Sequence, residues 1–171
     1  MTHTLRTRRT LLTAIAALPV LSSLSGCGFH LRGHFQAPFD TLYLQMRENT
    51  PFSSALKRMV ESGSNVRVVD HPNEADAILE LLSIRRDREV LSVSDAGRAR
   101  EYELTLTLEF RVKSPDDFDY VDPTTLLAHR DLTYSESEFL SREKEEELLY
   151  RDMENDLMAQ IVRYIEAAHR P

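Results

Sequence analysis

The 171-residue chain contains one cysteine, no tryptophan and only five glycines. A lone cysteine cannot close an intramolecular disulfide, so the fold has to stand on its core. Five scattered glycines make no Gly-rich phosphate cradle, and no stretch recurs at a fixed period. A Gly-x-Ser-x-Gly elbow is missing, and so is a His-Glu-x-x-His zinc pair. His30 and His34 stand four apart but have no third ligand near them in sequence. The abundant carboxylates fall mostly on helix and strand surfaces. Neither catalysis, nor a metal, nor a cofactor is expected. Positive charge is scarce as well. With 21 Lys and Arg against 28 Asp and Glu, the net charge is -7, which argues against a nucleic-acid binder with its usual basic face.

What is present starts at the front. Residues 1–26 hold Arg6, Arg8 and Arg9 and no acid, and around Leu11–Leu21 runs "LLTAIAALPVL". A basic start, a short apolar middle and small residues at the end form an export signal. The run is too short, and too interrupted by Thr13 and Pro19, for a spanning helix, which needs roughly 20 apolar residues. Next comes Leu24-Ser25-Gly26-Cys27, which resembles the lipobox of bacterial lipoproteins. In such proteins the cysteine thiol is diacylated, the chain is cut before it, and the new amine is usually acylated. Two or more acyl chains hold a protein on a bilayer where one binds only marginally. The residue after Cys27 is Gly28 rather than aspartate. By resemblance to lipoprotein sorting signals, that directs the protein to the outer membrane. "TRRTLLT" (Thr7–Thr13) also resembles a twin-arginine motif, so the export route stays open between this and the general one.

The reading divides the chain into a cleaved signal (1–26), a lipidated tether (27–40) and one domain (41–169). Cleavage would remove three arginines and no acid, leaving 18 basic residues against 28 acidic ones. Within the domain, Thr41–Met46 and Asn65–Asp70 suit short strands. Between them, "NTPFSSALKRMVESGS" predicts a helix with Thr50 as its cap, Pro51 in the first turn and Gly63 at its end. Phe52, Leu56, Met59 and Val60 share one face of it. Ala77–Val93 predicts a long strand, apolar at first and then basic, and Ser94–Gly97 supplies turn chemistry. Over Arg100–Lys113, Tyr102, Leu104, Leu106, Leu108, Phe110 and Val112 point one way and polar residues the other, the signature of a sheet with one wet face. Ser114–Pro123 reads as an acidic loop, and Thr125–Ser137 as the last strand. From about Ser141 to Ala168 a long helix carries Leu149, Met153, Leu157, Ile161 and Ile165 at every fourth position. The expected fold is α+β: a two-layer sandwich with two helices on a four-stranded, mostly antiparallel, mixed sheet.

Four segments in this order resemble the LptE family of lipopolysaccharide-assembly lipoproteins: "CGFHLRG", "EADAILEL", "GRAREYELTL" and "LLYRDMENDLMAQIVRYI". The resemblance implies the same sandwich and a non-enzymatic role. Family members plug the LptD β-barrel, assist its assembly, and help place lipopolysaccharide in the outer leaflet. It further implies that the turn Ser94, Asp95, Ala96 and Gly97 faces the barrel. A family member has an aromatic and a basic residue where Ser94 and Asp95 stand, so Arg98 and Arg100 are the basic candidates here. Arg142 and Arg86 match two further basic positions, with Arg85 and Arg88 beside the latter. Arginine suits the phosphates of lipid A because its planar fork donates paired, charge-assisted hydrogen bonds. The alternative is that Arg85, Arg86, Arg88, Arg98 and Arg100 pair with Asp87, Glu89, Asp95 and Glu101 across the strands, each pair worth ~0.2–1 kcal/mol. One expectation is testable at once. Cys27→Ser should abolish incorporation of labelled palmitate in growing cells and leave the signal uncleaved on a gel.

Overall fold

The computed structural model describes residues 36–133 and the backbone of residues 139–168, with side chains described again from Glu143 onward. Its elements run β1 (Thr41–Gln45), α1 (Pro51–Gly63), β2 (Arg67–Val69), a 3₁₀ turn at Pro72–Glu74, β3 (Ala77–Val93), β4 (Ala99–Lys113), β5 (Asp119–Thr133) and α2 (Phe139–Ala167). The sheet order is β2-β1-β3-β4-β5. β1 lies parallel to both β2 and β3, whereas β3, β4 and β5 form an antiparallel meander.

The mixed sheet with two helices is as expected, but it has five strands rather than four. The strand left out of that count is β2, three residues within the Asn65–Asp70 segment read as a short strand, which pairs Arg67, Val68 and Val69 with Thr41, Leu42 and Tyr43. A single parallel partner and the burial of Val66 and Val68 under α1 are enough to hold it. The last strand also begins earlier than expected. Only Ser114–Phe118 turns: Asp117 adopts φ 64°, the Ser114 N–H donates to the Phe118 carbonyl at 2.6 Å, and the Phe118 N–H donates to Ser114 Oγ at 3.1 Å. Pro123, which argued for a loop, instead sits inside β5 where the register slips between Phe110 and Val112. On an edge strand, at a bulge, a missing N–H breaks no ladder bond.

α1 begins as the sequence predicts. Thr50 Oγ1 accepts from the Ser53 N–H at 3.0 Å, and Ser53 Oγ accepts from the Thr50 N–H at 3.1 Å, a reciprocal capping box. Its end differs slightly, since Gly63 is the last helical residue and Ser64 is the cap, its N–H and Oγ both donating to the Val60 carbonyl. Leu104, Leu106, Leu108, Phe110 and Val112 of β4 are fully buried beneath the helices, with Leu42, Leu56, Met153, Leu157 and Ile161. Each such side chain contributes about 1.5–3 kcal/mol by leaving water.

Two polar devices set the register at the base of the sheet. The Asp76 carboxylate accepts from the Thr41 N–H at 3.0 Å and from Thr41 Oγ1 at 2.8 Å, joining the start of β1 to the start of β3. On β3, buried Glu80 accepts from Arg111, directly opposite on β4, and from Lys113 at 3.1 Å. Burial alone would raise the Glu80 pKa, but the hydrogen bonds from Arg111 and Lys113 outweigh it and hold the carboxyl below its ordinary value. Glu80→Gln should therefore cost about 1–3 kcal/mol at neutral pH. Because the folded pKa is depressed, that contribution is complete above the unfolded glutamate pKa and disappears as pH falls through the folded one. Urea titrations of both proteins from pH 7 downwards should converge in acid.

Candidate functional site

A single extra residue decides where the β3 arginines point. Leu81 lies opposite Phe110 and Ser83 opposite Glu109, so Leu82 is a bulge with no partner. A one-residue insertion exchanges the two faces of everything beyond it. Before the bulge, Leu79 and Leu81 face the helices. After it, Ile84, Arg86, Arg88 and Val90 do, opposite Leu108, Leu106, Leu104 and Tyr102. Two arginines are thus carried to the inner side of the sheet, where α2 meets them.

Arg86 Nη1 donates to Glu147 at 2.9 Å and Arg86 Nη2 to Glu154 at 2.8 Å. Seven residues apart, these glutamates share one helix face, so one guanidinium spans two turns. The Arg86 guanidinium also lies 4.7 Å above the Tyr150 ring, and the Tyr150 hydroxyl donates to the Asp87 carbonyl at 2.8 Å. Partial burial opposes the charge on Arg86, but the bonds to Glu154 and Glu147 prevail and raise its pKa further. Burial, and then Glu146, push the Tyr150 hydroxyl up. Arg88 donates to Glu146 at 3.1 Å and lies 5.1 Å above the Tyr102 ring. Across the helix, Arg130 of β5 donates to Asp152 at 2.8 Å and also to Asp156. Strand arginines therefore grip α2 from both flanks.

The candidate residues are not gathered in one place. Ser94, Asp95, Ala96 and Gly97 form the β3–β4 turn, the last three exposed, with the Gly97 N–H donating to the Ser94 carbonyl at 2.8 Å. Gly97 has φ 73°, so a side chain there would be strained although nothing crowds it. Arg98 and Arg100 are exposed beside this turn, far along the hairpin from Arg86. Arg85 pairs with Asp87 two residues on along its own strand, while Arg86 and Arg88 both reach glutamates of the helix. Cys27, His30 and His34 lie outside the described residues, as does the side chain of Arg142, whose backbone is in the first turn of α2. Sequence reasoning missed Tyr150, Glu146, Glu147 and Glu154. Tyr150 had a signal, standing three residues before Met153 on the apolar stripe. The glutamates had none, because in sequence they look like any solvated run.

With this geometry in view, comparison with known proteins is decisive. The profile of the LptE lipopolysaccharide-assembly family matches residues 39–165. The chain belongs to the LptE family. Its relatives include the LPS-assembly lipoprotein LptE of Photorhabdus laumondii, 29% identical over 165 residues that cover 95% of this chain and 88% of that one. The namesake from Pectobacterium atrosepticum is 29% identical and covers 91% and 85%. Among solved structures, an uncharacterized lipoprotein B from Nitrosomonas europaea superposes with a TM-score of 0.69 at 29% identity, covering 82% of this chain and 91% of its own. Rare lipoprotein B from Shewanella oneidensis gives 0.65 at 25% identity, covering 75% and 95%. The LptE match is to assembly lipoproteins and not to an enzyme family. Among the described residues, no helix is long and apolar enough to cross a membrane.

In this chain the inner arginines act first on the fold. Arg86→Ala leaves Glu147 and Glu154 without their shared cation and should cost about 1–2 kcal/mol, a value limited by solvent screening of a half-exposed pair. Tyr150→Phe removes one hydrogen bond and should cost about 1 kcal/mol. Urea unfolding checks both. Added salt should shrink the first penalty and spare the second.

Proposed function

We propose that the chain is an outer-membrane lipoprotein, anchored through acylated Cys27, that plugs the LptD β-barrel, assists its assembly and helps deliver lipopolysaccharide to the outer leaflet. The observation that carries this reading is the family match across residues 39–165, which spans both helices and all five strands. It is supported by the lipobox ahead of the domain and by the LPS-assembly names of its relatives. Such a protein works by filling and touching. It makes and breaks no bonds, and needs no cofactor beyond its own lipid.

Within this reading the β3–β4 hairpin, with Ser94–Gly97 at its tip, faces the barrel, and exposed Arg98 and Arg100 join Arg142 in meeting lipid A phosphates. Arg86 has a different part. Both of its outer nitrogens already hold carboxylates, so a phosphate reaches it only by displacing Glu147 or Glu154. An adaptor lipoprotein of another envelope complex is the second reading, favoured by the β3 edge that runs on past β1.

Affinity purification of the lipidated protein from detergent-solubilised membranes, with mass spectrometry of its companions, separates the two. A large barrel protein at near-equal amounts is expected, and its absence sinks the main reading. Arg98→Glu, Arg100→Glu and Arg142→Glu should each weaken lipopolysaccharide binding without changing circular dichroism. Arg86→Glu should lower stability as well, since it brings a third carboxylate against two.

A further inference from the structure

β1 ends at Gln45, opposite Glu80, while β3 runs on to Val93. From Leu81 to Val93, therefore, no described strand lies against that edge of β3, and its outward backbone groups are open to pairing. The stretch is also apolar. Of the nine large apolar side chains left exposed among the described residues, five lie on it: Leu82, Ile84, Val90, Leu91 and Val93. A bare apolar edge of this length is a template for another strand.

A row of carboxylates shows what that strand has to bring. On the outer face of the sheet, Glu89 stands opposite Glu103 of β4, and Glu103 opposite Asp131 of β5. Three acids side by side repel one another. The neighbouring rows hold Asp87, Thr105 and His129 on one side and Ser92, Glu101 and Thr133 on the other, so neither supplies a lysine or an arginine. A cation arriving from beyond the edge, next to Glu89, relieves that repulsion.

This chain carries such a cation in the matching place. Asp87 is the midpoint of Leu81–Val93, so an antiparallel second β3 fills the stretch end to end only with Asp87 opposite its own counterpart. In that register Arg85 of each copy falls opposite Glu89 of the other on the outer face, and Ile84 opposite Val90 on the inner face. Arg85 Nε donates to Asp87 at 2.7 Å, which balances the carboxylate on the axis and leaves the two outer nitrogens of Arg85 for a second acid. On the inner face Arg86 meets Arg88, but each already holds a glutamate of its own α2. A slip of two residues either way sets Asp87 against Glu89, or Ile84 against Arg88, and a slip of one opposes inner faces to outer ones.

We infer that the open edge of β3 is a self-recognition surface, on which a second copy of this chain lays its own β3 antiparallel and makes one sheet continuous across both copies. The inference rests on this edge alone and concerns the chain outside any barrel. Pairing of this kind keeps the apolar edge from indiscriminate strand addition. One shared ladder is a small interface, below about 1,200 Å², which goes with weak, reversible association.

Single cysteines in the lipidated full chain, purified in mild detergent, test it by disulfide cross-linking, with the unsubstituted chain as the control for Cys27. Opposite residues of antiparallel strands have Cα atoms about 4.5–5.5 Å apart, within reach of a disulfide. Asp87→Cys should therefore cross-link readily into a dimer. In this register Arg85→Cys and Glu89→Cys each lie about 14 Å from their own counterparts and should not, although they share the same micelles. All three positions are exposed, so the fold tolerates the changes. Added to Asp87→Cys, Glu89→Arg should slow cross-linking roughly tenfold, and Arg85→Glu on top of it should restore the rate by reversing the pair. Equal cross-linking at all three positions, no dimer with Asp87→Cys, or no recovery in the reversed pair overturns the inference. If Asp87→Cys stays monomeric while a photo-reactive group at Ile84 captures a different protein, the edge belongs to a foreign strand and the inference falls.

Discussion

One unpaired residue, Leu82, governs the inner architecture. Were Leu82 paired in regular alternation instead of bulged, Arg85, Asp87 and Glu89 would turn towards α2 and Arg86 and Arg88 outwards. The helix would then bring Glu146, Glu147 and Glu154 against carboxylates, and like charges at such distances repel. The bulge reverses this. It converts an acidic helix face, which is poor at packing on a sheet, into one half of an ion-pair seam, with Tyr150 as the apolar element beneath it.

The two halves of the sheet are held by different physics. At the base, β2, β1 and the start of β3 are buried under α1, and Asp76 and Glu80 set their register through hydrogen bonds to fixed partners. Further out, β3, β4 and β5 run on beyond β1, and the outer stretch of β3 is exposed on both of its faces. There the apolar contribution comes from β4 and β5 against α2, and the β3 side is fastened by charge. The base is therefore less sensitive to salt and more sensitive to cavities than the outer part, because its ion pairs at Glu80 are largely shielded from solvent.

Much of this was legible in the sequence. The perfect alternation of Arg100–Lys113 gave β4 its buried and wet faces, the Thr50-Pro51 cap gave α1 its start, and the fourfold spacing from Met153 to Ile165 gave α2 its core stripe. Three features were not, each for a physical reason. β2 was visible as a short strand at Asn65–Asp70, but three residues show no period that would place it in the sheet. Pro123 is an argument against a strand unless a bulge excuses it. The Leu82 bulge is written in "LELLSIRR" as nothing more than an ambiguous apolar-to-basic switch, so neither the direction of Arg86 nor its helix partners could be read. For the candidate site, the turn at Gly97 was visible from its glycine, whereas the α2 glutamates acquire meaning only once the helix is laid on the sheet.

The mismatch in length between β1 and its neighbour has a mechanical consequence. Three strands projecting from a five-stranded root, braced by a helix on one side, make a cantilever. Twisting moments applied at Gly97 are carried down β3 and β4 towards the root and resisted along the way by the arginine contacts to α2. Whatever grasps that tip gains leverage over the helix, so a load at the far end of the hairpin is felt at Arg86 before it reaches the core.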